Sequence, residues 1–358
     1  MRKIKKYQKL FWPIMIIVQI IGIQIISRFP RSVERYYSEG IYQYIARFFR
    51  MITGWTSISI GDIMYMGLIF YCLGWIWKTR KNWKLETKNQ IIKLLTFMSI
   101  LSLVFHLTWG LNYQRIPLTE KLNIDKKYTL EELEHFTLNW IDKTNELHVK
   151  ITRDSLEKVI IPFDNEEIFS IAVESYRNIN LQYPFLKYNQ PSIKNSLFRV
   201  PLSYMGFGGY LNPFTNEAQI NGMLPKYNLP TTTLHEMSHQ MGYAAESEAN
   251  FIGVLISMNS EDVYFNYSGY TYALKYLMRG LEKHQSEKKD VYWNKINPGV
   301  LKNYQETKDF WELHKNPMEP LFKGFYDRFL KLNQQKDGLE GYIKFVGILI
   351  NHEKQNSD

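Results

Sequence analysis

Three long apolar segments occupy the first third of the chain and precede a longer, more polar remainder. They run over residues 10–26, 60–77 and 91–111, and none has a charged side chain in its central part. Because about 20 apolar residues carry a helix across the hydrocarbon core of a bilayer, the pattern predicts three transmembrane helices. Residues 1–111 are therefore expected to form a multi-pass membrane domain whose partner is the lipid bilayer.

Basic residues predict how these spans are oriented. They cluster ahead of the first span and again at 78–88, where Glu86 is the one acidic residue. Cytoplasmic loops carry such an excess of lysine and arginine, so both segments are placed in the cytoplasm and the chain after residue 111 outside it. A cleaved signal peptide is the alternative interpretation of the first span, but no small-residue cleavage site follows residue 26 and two further spans come after it.

The loop between the first two spans carries a second pattern. Between residues 33 and 52, aromatic and aliphatic side chains recur at helical spacing, which is typical of an amphipathic helix. We expect this helix to lie on the membrane surface or beneath the domain that follows the spans.

The sequence His-Glu-Met-Ser-His at residues 235–239 is an HExxH motif. Pro230 and the threonines that follow it suit the first turn of a helix, and in a helix the two histidines lie one turn apart on one face. Imidazoles at that spacing can both bind one tetrahedral Zn²⁺ while Glu236 stays free to take a proton from an attacking water. The motif therefore predicts that His235 and His239 bind zinc and that Glu236 is a general base.

A third ligand is expected just after the motif, where Gly242 can end the helix and turn the chain back. Glu246 and Glu248 are both within reach of that turn, and a second helix is predicted over residues 248–258. Glu246 stands in a Glu-x-x-Ala-Asn sequence that resembles the Glu-x-x-Ala-Asp of integral-membrane zinc proteases of the prenyl-protein and heat-shock types. That resemblance implies that Glu246 binds the metal and that Asn250 replaces an aspartate that orients a ligand histidine. Glu248 remains the competing ligand.

The spacing of this third ligand departs from the protease families that it resembles. In the integral-membrane enzymes the third ligand usually lies much further downstream. In the compact HExxHxxGxxH pattern of metzincins the third histidine would fall on Ala245, which cannot bind a metal. The motif and its turn therefore predict a metal site with His235, His239 and Glu246, while the choice between Glu246 and Glu248 stays open.

A glycine-rich segment at residues 206–221 directly precedes the motif helix and predicts short strands. In zinc peptidases an edge strand at this place holds an extended substrate by main-chain hydrogen bonds, whereas a plain structural hairpin is the alternative. Glu217 within it is expected either to face a substrate or to support a ligand. By residue type alone, Tyr243, Tyr267 and Tyr270 are candidates for stabilising an oxyanion.

Charge and cysteine content change this picture little. The formal net charge of +9 is largely explained by the basic residues that flank the spans, and no nucleic-acid-binding signature accompanies it. No nucleic-acid partner is therefore expected. The single cysteine, Cys72, lies within the second span and excludes a disulfide framework.

Over nearly its whole length the chain resembles DUF3810, a family of bacterial membrane proteins of unknown function. The resemblance rests on the segments at residues 59–62, 109–115, 209–221, 235–251, 267–270 and 326–333. It implies a multi-pass protein of the bacterial cell membrane with a zincin-like domain at residues 112–358. The expected fold is thus mostly α: three N-terminal transmembrane helices, then an α+β zincin-like domain with a small sheet before the HExxH helix.

Two functions of different classes are compatible with these features. The first is a membrane-anchored zinc metallopeptidase that hydrolyses peptide bonds of a cell-envelope or membrane-protein substrate. The alternative is a non-enzymatic membrane sensor or assembly protein with a structural zinc site. Three protein ligands and a water indicate the enzyme, whereas four protein ligands, with Glu246 and Glu248 both bound, indicate the structural site.

The orientation can be tested with reporter fusions. We expect a reporter fused after Asn112 to show an extracytoplasmic location, because the basic segments ahead of span one and between spans two and three hold those parts in the cytoplasm. Cytoplasmic activity of that fusion would contradict the orientation, and with it the expectation of envelope substrates.

Overall fold

The computed structural model describes residues 2–81, 84–333, 335 and 341–357, and helices account for most of them. In chain order the α-helices are α1 (Arg2–Ile26), α2 (Pro30–Ser32), α3 (Tyr42–Thr53), α4 (Ile60–Thr79), α5 (Thr87–Thr108), α6 (Leu118–Leu122), α7 (Leu130–Thr152), α8 (Asn165–Ile179), α9 (Arg199–Met205), α10 (Leu229–Gln240), α11 (Glu246–Met258), α12 (Val263–Lys283), α13 (Lys289–Trp293), α14 (Pro298–Leu313), α15 (Glu319–Leu332) and α16 (Gly341–Ser357). The predicted mostly helical fold is confirmed.

Local sequence explains where several helices begin. The Thr129 hydroxyl accepts a hydrogen bond from the Glu132 amide, and the Glu132 carboxylate accepts one from the Thr129 amide, which caps α7. Asp164 and Glu167 form the same reciprocal pair at the start of α8. Pro230 occupies the first turn of α10, where a missing amide hydrogen costs nothing.

Helices α4 and α5 are each long and apolar enough to cross a membrane. The apolar part of α1, Leu10–Ile26, passes the same test together with the stretch Pro30–Thr53, from which it is bent by 97°. The described residues thus offer two crossings, or three if this bent pair forms one. The apolar spans are found as helices, while the count of three and the orientation stay predictions.

The amphipathic segment predicted at residues 33–52 is helical and comprises a π-helical stretch, Val33–Ile41, followed by α3. One side of α3 is buried against the rest of the chain, because Tyr42, Ala46 and Arg50 follow one another at four-residue spacing. The other side exposes large side chains that are mostly apolar: Tyr44, Phe48, Met51 and Ile52. This division suits a helix that lies between a bilayer surface and a protein domain.

Three short strands form the small sheet that was predicted ahead of the HExxH helix. Strand β1 (Ile193–Asn195) pairs in parallel with β3 (Ala218–Ile220), and β2 (Gly209–Leu211) pairs antiparallel with the other side of β3. The order β1-β3-β2 places β3 in the centre, where it is buried and packs against α10. Strand β2 is therefore at an edge of the sheet.

The N-terminal end of α4 is fastened to this sheet by polar contacts. Ser59 caps the helix by accepting a hydrogen bond from the Asp62 amide. The Asp62 carboxylate accepts hydrogen bonds from the Leu197 amide, at 2.7 Å, and from the Tyr210 hydroxyl. Glu217 accepts from the first two amides of α4, which suits the positive end of a helix dipole. A predicted span and the sheet are thus one structural unit.

The C-terminal end of α10 is held by side chains from the N-terminal region. The last carbonyls of a helix have no partner within it. The indole of Trp109, just past the end of α5, donates to the carbonyl of His239 at 3.0 Å. The carbonyl of Gln240 accepts from Tyr42 at 2.8 Å and from Arg50 at 3.0 Å. Residues near the predicted spans therefore complete the helix that bears the motif.

Replacing Arg50 with alanine is expected to destabilise the protein. Arg50 is 4% exposed and also donates to Asn216 Oδ1 at 2.6 Å and to main-chain carbonyls. Its loss leaves several buried acceptors without a donor, so we expect the apparent unfolding temperature in detergent to fall by roughly 5–10 °C. Exposed Arg47 on the same helix is the matched control, and Arg47→Ala should leave that temperature unchanged. Equal effects of the two variants would contradict the capping role of Arg50.

Candidate metal centre

Two histidines of α10 face the same point. His235 and His239 lie one turn apart on the helix, and their Nε2 atoms are separated by 3.2 Å. Both side chains are buried, as is nearly every residue of α10. The helix therefore presents two imidazole nitrogens to one position inside the protein.

The chain reverses directly after these histidines. Gly242 has a φ of +87°, in the left-handed region that favours glycine, and its amide donates to the His239 carbonyl at 2.9 Å. Helix α11 then begins at Glu246, two residues earlier than the sequence pattern predicted. Its first turn carries Glu246 back to the histidines, so that Glu246 Oε2 lies 3.3 Å from His235 Nε2 and 3.6 Å from His239 Nε2.

These three side chains form a cluster that can bind a metal ion. Among the described residues, His235, His239 and Glu246 are grouped with all three ligand atoms within 4.8 Å of one another. All three are buried. Two imidazole nitrogens and one carboxylate oxygen are ligands that divalent transition metals accept.

Neighbouring groups hold two of these ligands in position. The ring of His239 donates through Nδ1 to the carbonyl of Tyr243 at 2.7 Å, which leaves the Nε2 lone pair free for an ion. The hydroxyl of Tyr326, on α15, donates to Glu246 Oε1 at 2.6 Å. Asn250 Oδ1 accepts from the Tyr272 hydroxyl at 2.7 Å, and its role in orienting a ligand histidine stays a prediction.

The buried side chains of His239 and Glu246 shift each other's pKa. Burial lowers the pKa of His239, but the Glu246 carboxylate beside it outweighs this and raises the pKa to about 9. Burial favours the neutral form of Glu246, yet the two histidines hold its pKa well below the usual range. Because an imidazole must lose its proton to bind a metal, binding of an ion at this cluster would release a proton.

Glu248, the competing third ligand, points elsewhere. Its Oε1 accepts a hydrogen bond from the Leu118 amide at 2.6 Å, and its carboxyl group is buried near Arg115. Burial raises the pKa of Glu248 despite these two favourable partners. Ala245, where a metzincin would have a histidine, is the residue before the first turn of α11. Of the two acids left open by the sequence, Glu246 is the one beside the histidines.

Glu236 lies next to the cluster without belonging to it. Its side chain is 5% exposed, and within the described part of the chain its Oε2 has no hydrogen-bond partner. Burial raises the pKa of Glu236, while the two neighbouring histidines lower it. A buried carboxylate with a free oxygen beside a metal-binding cluster can accept a proton from a water placed between them.

The cluster opens into a large cavity of about 1290 Å³. Glu236 and all three clustered residues line it, and so do β2 and parts of α1, α4, α5 and α15. The glycine-rich segment predicted to border a cleft therefore does so through β2. Glu217 is not among the lining residues and is instead bound to the start of α4.

The three tyrosines proposed for an oxyanion are not in this cavity. Tyr267 donates to Asn303, the ring of Tyr270 packs on Trp140, and the ring of Tyr243 lies beneath Arg115: these contacts hold each tyrosine within the surrounding core. Four other tyrosines do line the cavity: Tyr65, Tyr210, Tyr113 and Tyr326. Of these, Tyr113 and Tyr326 interact with Glu246. In the sequence, Tyr113 and Tyr326 belong to the segments 109–115 and 326–333, which carry the family resemblance, and this could have pointed to them.

Together, fold and site define a largely helical protein with candidate membrane helices and a buried His-His-Glu cluster. The model of the family described as "Protein of unknown function (DUF3810)" matches residues 37–350. The chain belongs to this family, as its sequence motifs indicated. No curated protein and no solved structure matches the chain.

Replacing Glu246 or Glu248 with glutamine shows which of the two carboxylates binds the metal and which has a structural role. We expect Glu246→Gln to weaken metal binding strongly, because it removes an anionic ligand from the cluster. Glu248→Gln should largely retain the metal, since Glu248 is bonded to the Leu118 amide instead. Metal content of the purified full-length variants gives the comparison, and metal loss confined to Glu248→Gln would reassign the third ligand.

Proposed function

We propose that this chain is a membrane-anchored zinc metallopeptidase with a zincin-like domain, which hydrolyses peptide bonds of a cell-envelope or membrane-protein substrate. The observation that carries the proposal is the triangle of His235 Nε2, His239 Nε2 and Glu246 Oε2, with Glu236 beside it and a cavity in front of it.

The size of that triangle suits zinc. Tetrahedral Zn²⁺ with bonds of about 2.0–2.1 Å has neighbouring ligand atoms roughly 3.3–3.4 Å apart. The three separations between His235, His239 and Glu246 are 3.2, 3.3 and 3.6 Å. Two histidines and one glutamate are also a common protein ligand set of catalytic zinc, which keeps a fourth position for water or substrate.

The residues around the cluster have complementary roles in hydrolysis. When bound, Zn²⁺ acts as a Lewis acid toward the scissile carbonyl and lowers the pKa of an adjacent water. Glu236 takes a proton from the attacking water and returns it to the departing amine. Tyr326 fixes one oxygen of Glu246 and thereby keeps the other directed at the histidines.

Four protein ligands, for instance with Glu246 and Glu248 both bound, would favour the non-enzymatic alternative. Glu248 is engaged by Leu118, so the described residues bring three ligands to the cluster. Three ligands leave one position of a tetrahedral ion facing the cavity, which favours catalysis over a closed structural site. In the proposed orientation this position lies on the extracytoplasmic side of the membrane.

The test of this function turns on Glu236. We expect Glu236→Gln to retain zinc and thermal stability but to lower peptide cleavage by about 10²–10⁴-fold, because the glutamine cannot accept the proton. Zinc content, unfolding temperature and cleavage of a fluorescently labelled unfolded polypeptide are measured on the same preparation of the full-length chain. Glu282→Gln, at an exposed site on α12, serves as the control.

Two results would contradict the proposed peptidase function. The first is zinc-dependent cleavage by Glu236→Gln at the rate of the parent chain, and the second is full restoration of the phenotype of a deletion strain by Glu236→Gln. Either result would leave the zinc site without a catalytic carboxylate and favour the sensor or assembly protein.

A further inference from the structure

The cavity in front of the cluster continues between the membrane helices. Its walls include Ile16 of α1, Ile69 of α4 and Met98 of α5. Ile16 lies ten residues before the end of α1, and Met98 ten residues before the end of α5. At 1.5 Å per residue, the cavity reaches about 15 Å along these helices. That depth is about half of a hydrocarbon core of roughly 30 Å.

This inner part of the cavity separates α4 from the packed pair of α1 and α5. Helix α1 packs along α5, whereas among the described residues α4 makes no comparable contact with either. The walls on the three helices are mainly apolar: Ile16, Ile20, Ile23, Ile69, Met98 and Leu101. A gap with such apolar walls suits an apolar occupant.

The outer part of the cavity presents main-chain groups suited to a polypeptide. The residues that flank β2 are hydrogen-bonded toward β3: the Asn212 amide donates to the Glu217 carbonyl, and the Gly208 carbonyl accepts from the Asn221 amide. In an antiparallel pair such bonds recur at every second residue. The amide and carbonyl groups of Gly209 and Leu211 therefore point away from β3. Gly209 also lies against the proposed general base. A Cβ atom at this position would be 2.8 Å from Glu236 Oε1, which is too close for any residue with a side chain.

We propose that the substrate is a membrane-embedded polypeptide whose apolar helix end enters the gap between α4 and the α1/α5 pair, while its extended outer segment pairs with β2 beside Glu236. This inference rests on the proposed peptidase function and names its substrate class. A lipid chain would fill the gap but has no main-chain groups to pair with β2.

The dimensions of the cavity agree with this occupant. A helix end about 10 Å across and ~15 Å long displaces roughly 1200 Å³, which is of the same order as the volume of the whole cavity, about 1290 Å³ with its outer part beside β2 included. The scissile bond would then lie at the outer end of the helix, where the chain must unwind to become an edge-strand partner.

Photocrosslinking tests binding independently of cleavage. The probe is a synthetic peptide with an apolar helix of about 20 residues that continues into a flexible polar segment, placed in phosphatidylcholine vesicles with the full-length Glu236→Gln chain. p-Benzoylphenylalanine replaces either Ile69, which lines the cavity, or the adjacent Phe70, which is exposed and does not line it. We expect position 69 to crosslink to the peptide several-fold more than position 70.

Cleavage supplies the second readout. The zinc-loaded parent chain should cleave the membrane peptide faster than the same polar segment without its apolar helix. Ile69→Trp, which narrows the gap, should slow cleavage of the membrane peptide about tenfold or more while retaining zinc. Phe70→Trp should leave it unchanged.

The possible results distinguish the proposed substrate class from the proposed peptidase function. Equal crosslinking at positions 69 and 70, or lipid adducts alone at 69, would overturn the polypeptide as occupant. Cleavage of the free polar segment at the same rate, with no effect of Ile69→Trp, would overturn the substrate class and leave the peptidase standing. Crosslinking at position 69 without any Glu236-dependent cleavage would overturn the peptidase and leave the cavity as a polypeptide-binding site.

Discussion

The capping of the C-terminal end of α10 is the contact on which the His235, His239 and Glu246 cluster depends. Carbonyl groups at the end of a helix need donors, and here the end lies beside the histidines and is buried. The donors come from Trp109, Tyr42 and Arg50, all from the N-terminal third of the chain. The predicted boundary after residue 111 therefore divides the sequence, but both sides contribute to the position of His239.

A second set of contacts fixes the turn that brings in Glu246. Arg115 donates to both carboxylate oxygens of Glu34, at 2.6 and 2.9 Å, and to the carbonyl of Gly242 at 3.0 Å. Its guanidinium also lies 4.2 Å from the centre of the Tyr243 ring. Because the Arg115 and Glu34 side chains are less than 10% exposed, removing either one would leave a buried charge without its partner, which is strongly destabilising. Arg115 thus joins the N-terminal segment that contains Glu34 to the turn that leads into Glu246.

The sequence predicted those parts of the site that depend on local spacing. Histidines four residues apart must share a face of a helix, and Gly242 is suited to a left-handed turn, so the pairing of His235 with His239 and the reversal of the chain were predictable from the pattern. The start of α11 was placed two residues late, because Glu246 and Glu248 both suit a first helical turn. The distinction between them comes from the Leu118 amide, which is 130 positions away in the chain and gives no local signal.

The cavity and its supporting residues depend on packing between distant segments. Tyr326 reaches Glu246 across 80 positions, and residue type favoured other tyrosines that the fold buries in its core. The apolar spans were evident from composition, but their relation to the cluster was not, because it arises where α1, α4 and α5 meet β2 and α10. Glu217 shows the same limit, since its carboxylate anchors the start of α4 to the sheet and does not line the cavity.

X-ray absorption spectroscopy at the zinc edge of the purified full-length protein tests the central claim most directly. The proposed peptidase function predicts four-coordinate zinc with two imidazole nitrogens, one carboxylate oxygen and one further oxygen from solvent, at about 2.0–2.2 Å. The same measurement on Glu246→Gln should show the loss of that carboxylate or of the ion. A spectrum with two carboxylates and two imidazoles and no solvent ligand, or zinc bound with unchanged ligands in Glu246→Gln, would contradict a catalytic site built on His235, His239 and Glu246.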